Sequence, residues 1–225
     1  LKEPKPKLLL NWATHEAAAY ACKNWHYSKC VPTGKLVKVG VWEDDAFIGV
    51  VIFSRGASPF LGAKFELPQV SICELTRIAM NRHKTPVSRI VAIAVLFLKK
   101  HCPGVKLVVS FADPKEGHHG GVYQAGNWVY SGRSNPTTEL FVGGKWRHMR
   151  GAHYQKTEKT KSRVVPGKHR YLMPICESIE GKIRSLKLPY PKRAVSIEND
   201  AAPHQGAEGG VNPTTALHFD TIESA

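Results

Sequence analysis

No apolar run in this sequence approaches the roughly 18 residues that a membrane-crossing helix requires, so contact with a membrane is not expected. No cationic and then apolar leader ending at small residues is visible, and a soluble, intracellular protein is the expectation. Cysteine is sparse and unpatterned: Cys22, Cys30, Cys73, Cys102 and Cys176 are odd in number and form no CxxC pair. That spacing writes neither a zinc knuckle nor a disulfide framework, which leaves reduced, mostly buried thiols. The HExxH zinc signature is missing as well, and no internal repeat is evident. At 225 residues the chain is long enough for one domain with a real core, or for one domain and an extension.

Acidic residues are scarce too. The chain carries 32 Lys and Arg against 18 Asp and Glu, a net charge of +14. All 32 cations lie at or before Arg193, whereas five acids, Glu198, Asp200, Glu208, Asp220 and Glu223, follow it, which leaves the first 193 residues at +19. A field of that size attracts a polyanion, and a nucleic-acid backbone is the commonest one in a cell. The cations crowd into one segment, where Lys145, Arg147, Arg150, Lys156, Lys159, Lys161, Arg163, Lys168 and Arg170 stand against the single acid Glu158. A solvated basic loop would explain a charge run by itself. Here Trp146, His148, Tyr154 and Tyr171 interleave with the cations, which suits base stacking together with phosphate neutralisation, so the loop 145–170 is read as DNA-binding. From residue 194 the chain is poor in bulky apolar side chains and free of Lys and Arg. Residues 1–193 are therefore read as the folded domain and 194–225 as an acidic, largely disordered tail.

Periodicity gives the elements. A short strand spans Lys7 to Trp12, and Thr14 is placed to cap a helix through HEAAAYACKNW that ends near His26. Two strands, Lys35 to Trp42 and Ala46 to Ser54, flank the polar turn Glu43-Asp44-Asp45 as antiparallel neighbours. A third strand covers Ser71 to Met80, on which Glu74 and Arg77, three apart, are expected on opposite faces. Val87, Ile90, Val91, Ala94, Val95 and Leu98 recur at helical spacing between Val87 and His101. Strand, helix and the following apolar run Val105 to Phe111 make a βαβ unit, so its two strands are expected to be parallel. Later come a strand at Trp128 to Tyr130, a hairpin around Gly143-Gly144, a strand at His169 to Ile175 and a short amphipathic helix in CESIEGKIRSLK.

The stretch from Ser110 to Gly132, SFADPKEGHHGGVYQAGNWVYSG, carries the densest chemistry. A buried strand delivers Asp113 into a glycine-rich bend with His118 and His119, at the carboxyl end of a strand, where open α/β sheets place ligands. An acid ending a buried strand is costly unless paired or used; its other role is to cap the bend through its own backbone. Adjacent histidines cannot both face one centre from a strand, so at most one of the two is functional. The polar trio His26-Tyr27-Ser28 leaves the first helix, and His26 could serve as base or metal ligand, or simply as a structural histidine at a helix end.

The element order resembles the GNAT acetyltransferase fold over roughly Lys7 to Ile175, an α/β fold with a mixed central sheet and helices on both faces. By that resemblance an acyl-CoA such as acetyl-CoA lies against Arg77, Ile78 and Ala79 of the third strand and the turn ending in Pro86, Val87, Ser88 and Arg89, with its pyrophosphate on helix amides. Tyr123 then holds the position of the tyrosine that protonates a departing thiolate. The motifs NWHYSKCVPTGKLVKVGVWEDDAFIGVVIFSRG, CELTRIAM, PVSRI, SFADPKEGHHGGVYQAGNWVYSG and RYLMP together resemble the Mom DNA-modification proteins of Mu-like bacteriophages, in the same order and over nearly the whole chain.

That resemblance implies an enzyme converting adenine in double-stranded DNA to its N6-(methylcarbamoyl) form, protecting the DNA from restriction in the cytoplasm of the infected or lysogenic host. An ordinary GNAT acyltransferase acting on another amine is the alternative, as is a DNA-binding protein without chemistry. Adenine N6 lies inside the duplex, so the base must be flipped into a pocket, with Trp25, Tyr27, Trp128 and Tyr130 as stacking candidates and Asn127 as a candidate for the base edge. Strand aromatics such as Trp128 and Tyr130 are as often simply core. The implied product joins N6 to a CH₂ carbon, which acetyl transfer alone does not make. An iron centre on His26, Tyr27 and Asp113 is a chemically reasonable alternative donor-activating group. His26, Tyr27, Ser28, Asp113, Tyr123 and Asn127 form the candidate catalytic set.

Overall fold

Asp44 and Asp45 both take left-handed φ values, 48° and 66°, and so close a tight turn of the kind that matches strand twist. The turn joins β2 (Leu36–Glu43) to β3 (Ala46–Ser54). This hairpin begins a seven-stranded mixed sheet in the computed structural model of the protein, which describes residues 4–56, 58–149 and 160–193. The remaining strands of the sheet are β1 (Leu8–Trp12), β4 (Ile72–Met80), β5 (Leu107–Ala112), β6 (Val129–Arg133) and β10 (His169–Pro174). Their spatial order is β1-β2-β3-β4-β5-β10-β6. The acidic tail expected from residue 194 lies outside the described residues.

Helices cover both faces. In α1 (His15–Trp25) the Thr14 hydroxyl accepts the Ala17 amide at 3.1 Å, and Ala18, Ala21 and Cys22 form a small-residue stripe that seats the helix on Val50, Ile52 and Ala79. On the other face Ile90, Val91, Ala94, Val95 and Leu98 of α2 (Val87–His101) pack on Val39, Val51, Phe53 and Val108. Lys99 and Lys100 in the last turn complement the helix dipole. The short α3 (Gly121–Ala125) adds Tyr123 to this core, and α4 (Glu177–Arg184) adds Ile179 and Ile183 to a cluster with Leu107, Val109 and Leu172.

The crossover β4-α2-β5 makes its two strands parallel, as expected, but only from Ile72↔Leu107 to Leu75↔Ser110. Beyond that pair they separate. A β-bulge sits at this point: Ile52 of β3 pairs with Arg77 and Phe53 with Leu75, leaving Thr76 as the extra residue of β4. The bulge also overturns one expectation. Because Ile52↔Arg77 and Ser54↔Glu74 are partners on an alternating strand, Glu74 and Arg77 share a face.

Buried Glu43, last residue of β2, accepts the Lys84 and Thr85 amides at 2.9 and 2.7 Å, one on each carboxylate oxygen, and so shapes the segment leading into α2. Burial alone would raise this carboxyl's pKa, but the two amides and the Thr85 hydroxyl hold it below the usual range.

The basic segment is not one loop. It contributes β8 (Lys145–His148) and β9 (Ser162–Val165), which flank β7 (Thr137–Val142) in a separate three-stranded sheet, and then enters the main sheet as β10. Gly143 and Gly144, with φ 58° and 75°, make the expected β7–β8 turn. Arg150, Lys156 and Lys159 lie outside the described residues.

Candidate active site

Where β4 and β5 part, a cleft of about 470 Å³ opens, lined from β4 by Leu75, Thr76, Arg77, Ile78 and Met80 and from the glycine bend by His118 and His119. Trp25, His26 and Tyr27 close it from the end of α1, and Tyr123 from α3. The bend can approach this closely because Gly120 has φ 86° and lies where any Cβ would overlap the Tyr171 ring. Gln124 Nε2 and Tyr171 Oη both donate to the His119 carbonyl, at 3.1 and 2.6 Å, fixing the turn that carries the two histidines.

His26 is buried at the cleft wall. Burial, then the charges of Arg77 and His118, push its pKa down to about 4, so the ring is neutral at pH 7. The Ser28 amide, which can only donate, points at Nδ1 from 3.1 Å, and Ser28 Oγ lies 2.8 Å from the same nitrogen. The neutral ring therefore carries its proton on Nε2 and is a hydrogen-bond donor rather than a ready base. Tyr27 stacks on His26 and meets His118 edge-on at 5.6 Å, with half its surface exposed. Tyr123 is nearly buried. Desolvation pushes its pKa up to about 12, opposed by a hydrogen bond with Ser110, so the phenol stays protonated.

Asp113 is not a lining residue. One carboxylate oxygen accepts the Lys115 amide at 3.0 Å, capping a 3₁₀ turn, and the other pairs with Lys168 at 2.9 Å. Burial raises its pKa, but Lys168 and the Lys115 amide outweigh that and hold the carboxyl below its usual range. The His26, Tyr27, Asp113 set does not fit an iron centre. Asp113 has both oxygens engaged, and metal ligation through His26 Nε2 would turn an Nδ1 proton against the Ser28 amide. Among the described residues no group of three or more His, Cys, Asp or Glu comes together as a metal site.

Other candidates are dispersed. Asn127 is an exposed turn residue with φ 56° whose carbonyl accepts Arg184, so it does not reach the cleft. Trp128 is 1% exposed and packs on Tyr123, and Tyr130 bonds to His169, so both are core. Of the donor-site positions, Arg77, Ile78 and Val87 line the cleft, whereas Ala79 packs beneath α1. Pro86 precedes α2 and supplies no side-chain cap, and Ser88 and Arg89 lie in the first turn, where the Arg89 and Ile90 amides donate to the Pro86 carbonyl at 3.0 and 3.2 Å. Sequence reasoning missed Thr76, Met80, Val122 and Arg193 as lining residues.

The basic side chains divide by register. Lys145 and Arg147 pair with Val142 and Leu140, on the face opposite Trp146 and Arg163. Arg163 lies 4.3 Å over the Trp146 ring and pairs with Glu139, which also holds Lys115 of the glycine bend at 2.7 Å. Arg170 is tied to Ser131 through its side chain and carbonyl, a structural role inside the main sheet. Lys161 is exposed beside β9, and Lys168 is the partner of Asp113.

A mixed α/β sheet opened between a parallel strand pair, with its crossover helix starting at the opening, is the GNAT-like arrangement. The chain belongs to the Mom protein family, whose model matches residues 7–192. It is 28% identical over 127 residues to the methylcarbamoylase mom of Escherichia phage Mu, covering 55% of this chain and 52% of the relative, so the match spans about half of that protein's length. Among solved structures, it aligns with FeeM, an N-acyl amino acid synthase from uncultured soil microbes, at 11% identity and TM-score 0.45, over 81% of this chain and 95% of the other. A spermidine N-acetyltransferase from Vibrio cholerae aligns at 10% identity and TM-score 0.44, over 74% and 95%.

Proposed function

We propose that the protein is a DNA-modifying transferase that converts adenine to N6-(methylcarbamoyl)adenine and so protects the DNA from host restriction, in the cytoplasm of an infected or lysogenic bacterium. The observation that carries this reading is the family match over 7–192, which spans every element building the cleft from His26 to Tyr123. The matched relative is named a methylcarbamoylase, which supplies the reaction class. DNA as acceptor is supported by the excess of cations before residue 194 and by a cleft lining without a carboxylate.

An adenine flipped from the duplex enters between Tyr27 and Trp25, the two stacking candidates that line the cleft. His26 offers Nε2–H to an acceptor nitrogen or oxygen of the ligand, and Arg77 holds the opposite wall through the Thr76 and Cys30 carbonyls. An acyl-CoA fits the opening of β4 from β5, with its pyrophosphate at the first amides of α2. Such a donor would supply a thioester-activated acyl group and a thiol leaving group; attack of N6 on that carbonyl carbon gives an N6-amide, so the N6–CH₂ bond and the terminal amide of the proposed product call for a further activated donor. Tyr123, protonated at neutral pH, would hold its phenol proton where a departing thiolate could take it up.

The test is mass spectrometry of nucleosides from plasmid DNA co-expressed with the protein. Modified adenine is expected. DNA that stays unmodified in co-expressing cells, and in extract supplemented with acyl-CoA, overturns the reading in favour of a binding protein.

A further inference from the structure

The cleft's lining contains two guanidinium groups and no carboxylate. Arg77 already donates to the Thr76 carbonyl at 2.8 Å and the Cys30 carbonyl at 3.3 Å. Arg193, one residue past the family match, has no such partner among the described residues.

Its position is nonetheless built. After α4, residues 186–193 (LKLPYPKR) run without helix or strand across β6 and α3. The Leu188 amide donates to the Tyr130 carbonyl at 2.8 Å, and Tyr190 Oη donates to the Trp128 carbonyl at 2.7 Å. Pro189 and Pro191 restrict φ along the strap. Gln124 Nε2, 3.1 Å from the His119 carbonyl, is also 3.2 Å from the Pro191 carbonyl. One carboxamide therefore ties the strap's end to the bend that carries His118 and His119. An arginine set at the edge of an acid-free cleft in this way has its planar donors open to a ligand, and those donors match phosphate two at a time.

We propose that Arg193, held by this strap, is a phosphate-binding residue of the cleft. The chemistry is that of a phosphate group carried by a substrate, either a DNA phosphodiester or a phosphate of an acyl-CoA. The identity of those two carriers rests on the function proposed above.

The experiment uses the full chain with Arg193→Gln, Arg193→Lys and, as a control for charge alone, Lys192→Gln, an exposed neighbour that does not line the cleft. CoA binding is measured by calorimetry and binding of a labelled DNA duplex by anisotropy across a salt series. Arg193→Gln is expected to weaken one of the two by roughly tenfold, the scale of a lost charge-assisted hydrogen bond, with partial recovery in Arg193→Lys and less than about twofold change in Lys192→Gln. A loss confined to CoA assigns the donor's phosphate. A loss confined to DNA, with the log–log salt slope reduced by about one, assigns a phosphodiester. Wild-type binding of both ligands by Arg193→Gln, or equal losses in Arg193→Gln and Lys192→Gln, overturns the proposal. Were the wild type to produce no modified adenine while Arg193→Gln still lost one ligand, the reaction assignment would fall and the phosphate site would stand.

Discussion

Ser110 Oγ stands 2.7 Å from Tyr123 Oη and 2.9 Å from the Leu75 carbonyl, in the last residue pair before β4 and β5 part. A serine has one proton and the carbonyl can only accept. When Ser110 donates to Leu75, the phenol's own proton is turned toward Ser110, and turning the serine frees that proton for the cleft. Tyr123→Phe removes the acid and leaves Ser110 its carbonyl partner. Modification is expected to fall by about 10²-fold or more, with the thermal midpoint little changed. Full modified-adenine yield in that variant would remove Tyr123 from the chemistry.

Salt dependence tests the basic surface. Replacing Lys145, Arg147, Lys161 and Arg163 with alanine should flatten the slope of log affinity against log salt, by about 0.9 for each duplex phosphate that is no longer neutralised. Arg170→Ala is expected to behave differently, lowering stability through its missing bonds to Ser131 while leaving the slope alone. An unchanged slope in the fourfold variant would place DNA elsewhere.

Asp113 and Tyr27 should separate in their effects. Asp113→Ala removes a cap and the partner of Lys168, so a stability loss of about 1 kcal/mol is expected, with modification reduced only through a loosened bend. Tyr27→Ala removes a stacking ring of the cleft and should lower modification at least tenfold while retention of duplex DNA and folding stay intact. Denaturant midpoints read beside nucleoside analysis check both. Abolished activity in a stably folded Asp113→Ala protein would instead make that carboxylate part of the reaction.

Acid should weaken the fold before most carboxylates titrate. The folded His26 ring, with a pKa of about 4 against an ordinary 6.5, refuses a proton that the unfolded chain takes up. Its contribution is therefore complete above about pH 6.5 and is lost as pH falls toward 4. His169 is shifted in the same direction by burial and by Arg133, so its contribution also declines as pH falls below the ordinary histidine value. Urea midpoints should fall between pH 7 and pH 4.5 in the wild type and less steeply in His26→Gln; parallel slopes would mean that the ring is solvated.

Elements written in local pattern were legible from sequence. Thr14 marks the start of α1, the apolar spacing of α2 sets its buried face, and paired glycines announce the β7–β8 turn. Legibility ended where tertiary register decides. Trp128 and Asn127 are neighbours in the stretch that is densest in chemistry, yet one is core and the other an exposed left-handed turn, because Tyr123 and Arg184 take them up. The bulge at Thr76 inverted the expected relation of Glu74 and Arg77 for the same reason, since a single inserted residue resets alternation. Arg193 reaches the cleft only through bonds to Trp128, Tyr130 and Gln124 that no local pattern encodes.

The Glu43 clamp makes the approach to α2 a non-portable part. Residues 84 and 85 supply two amides and the Thr85 hydroxyl, and the carboxylate that receives them belongs to a strand 41 and 42 positions earlier. A chimera that borrows this segment from a relative, but keeps a β2 ending in another residue, inherits a buried Thr85 amide without the carboxylate that accepts it. Such grafts should succeed only when the β2 terminus travels with the segment, so the β2–β3 hairpin and the start of α2 form one exchangeable cassette in recombinations of this protein.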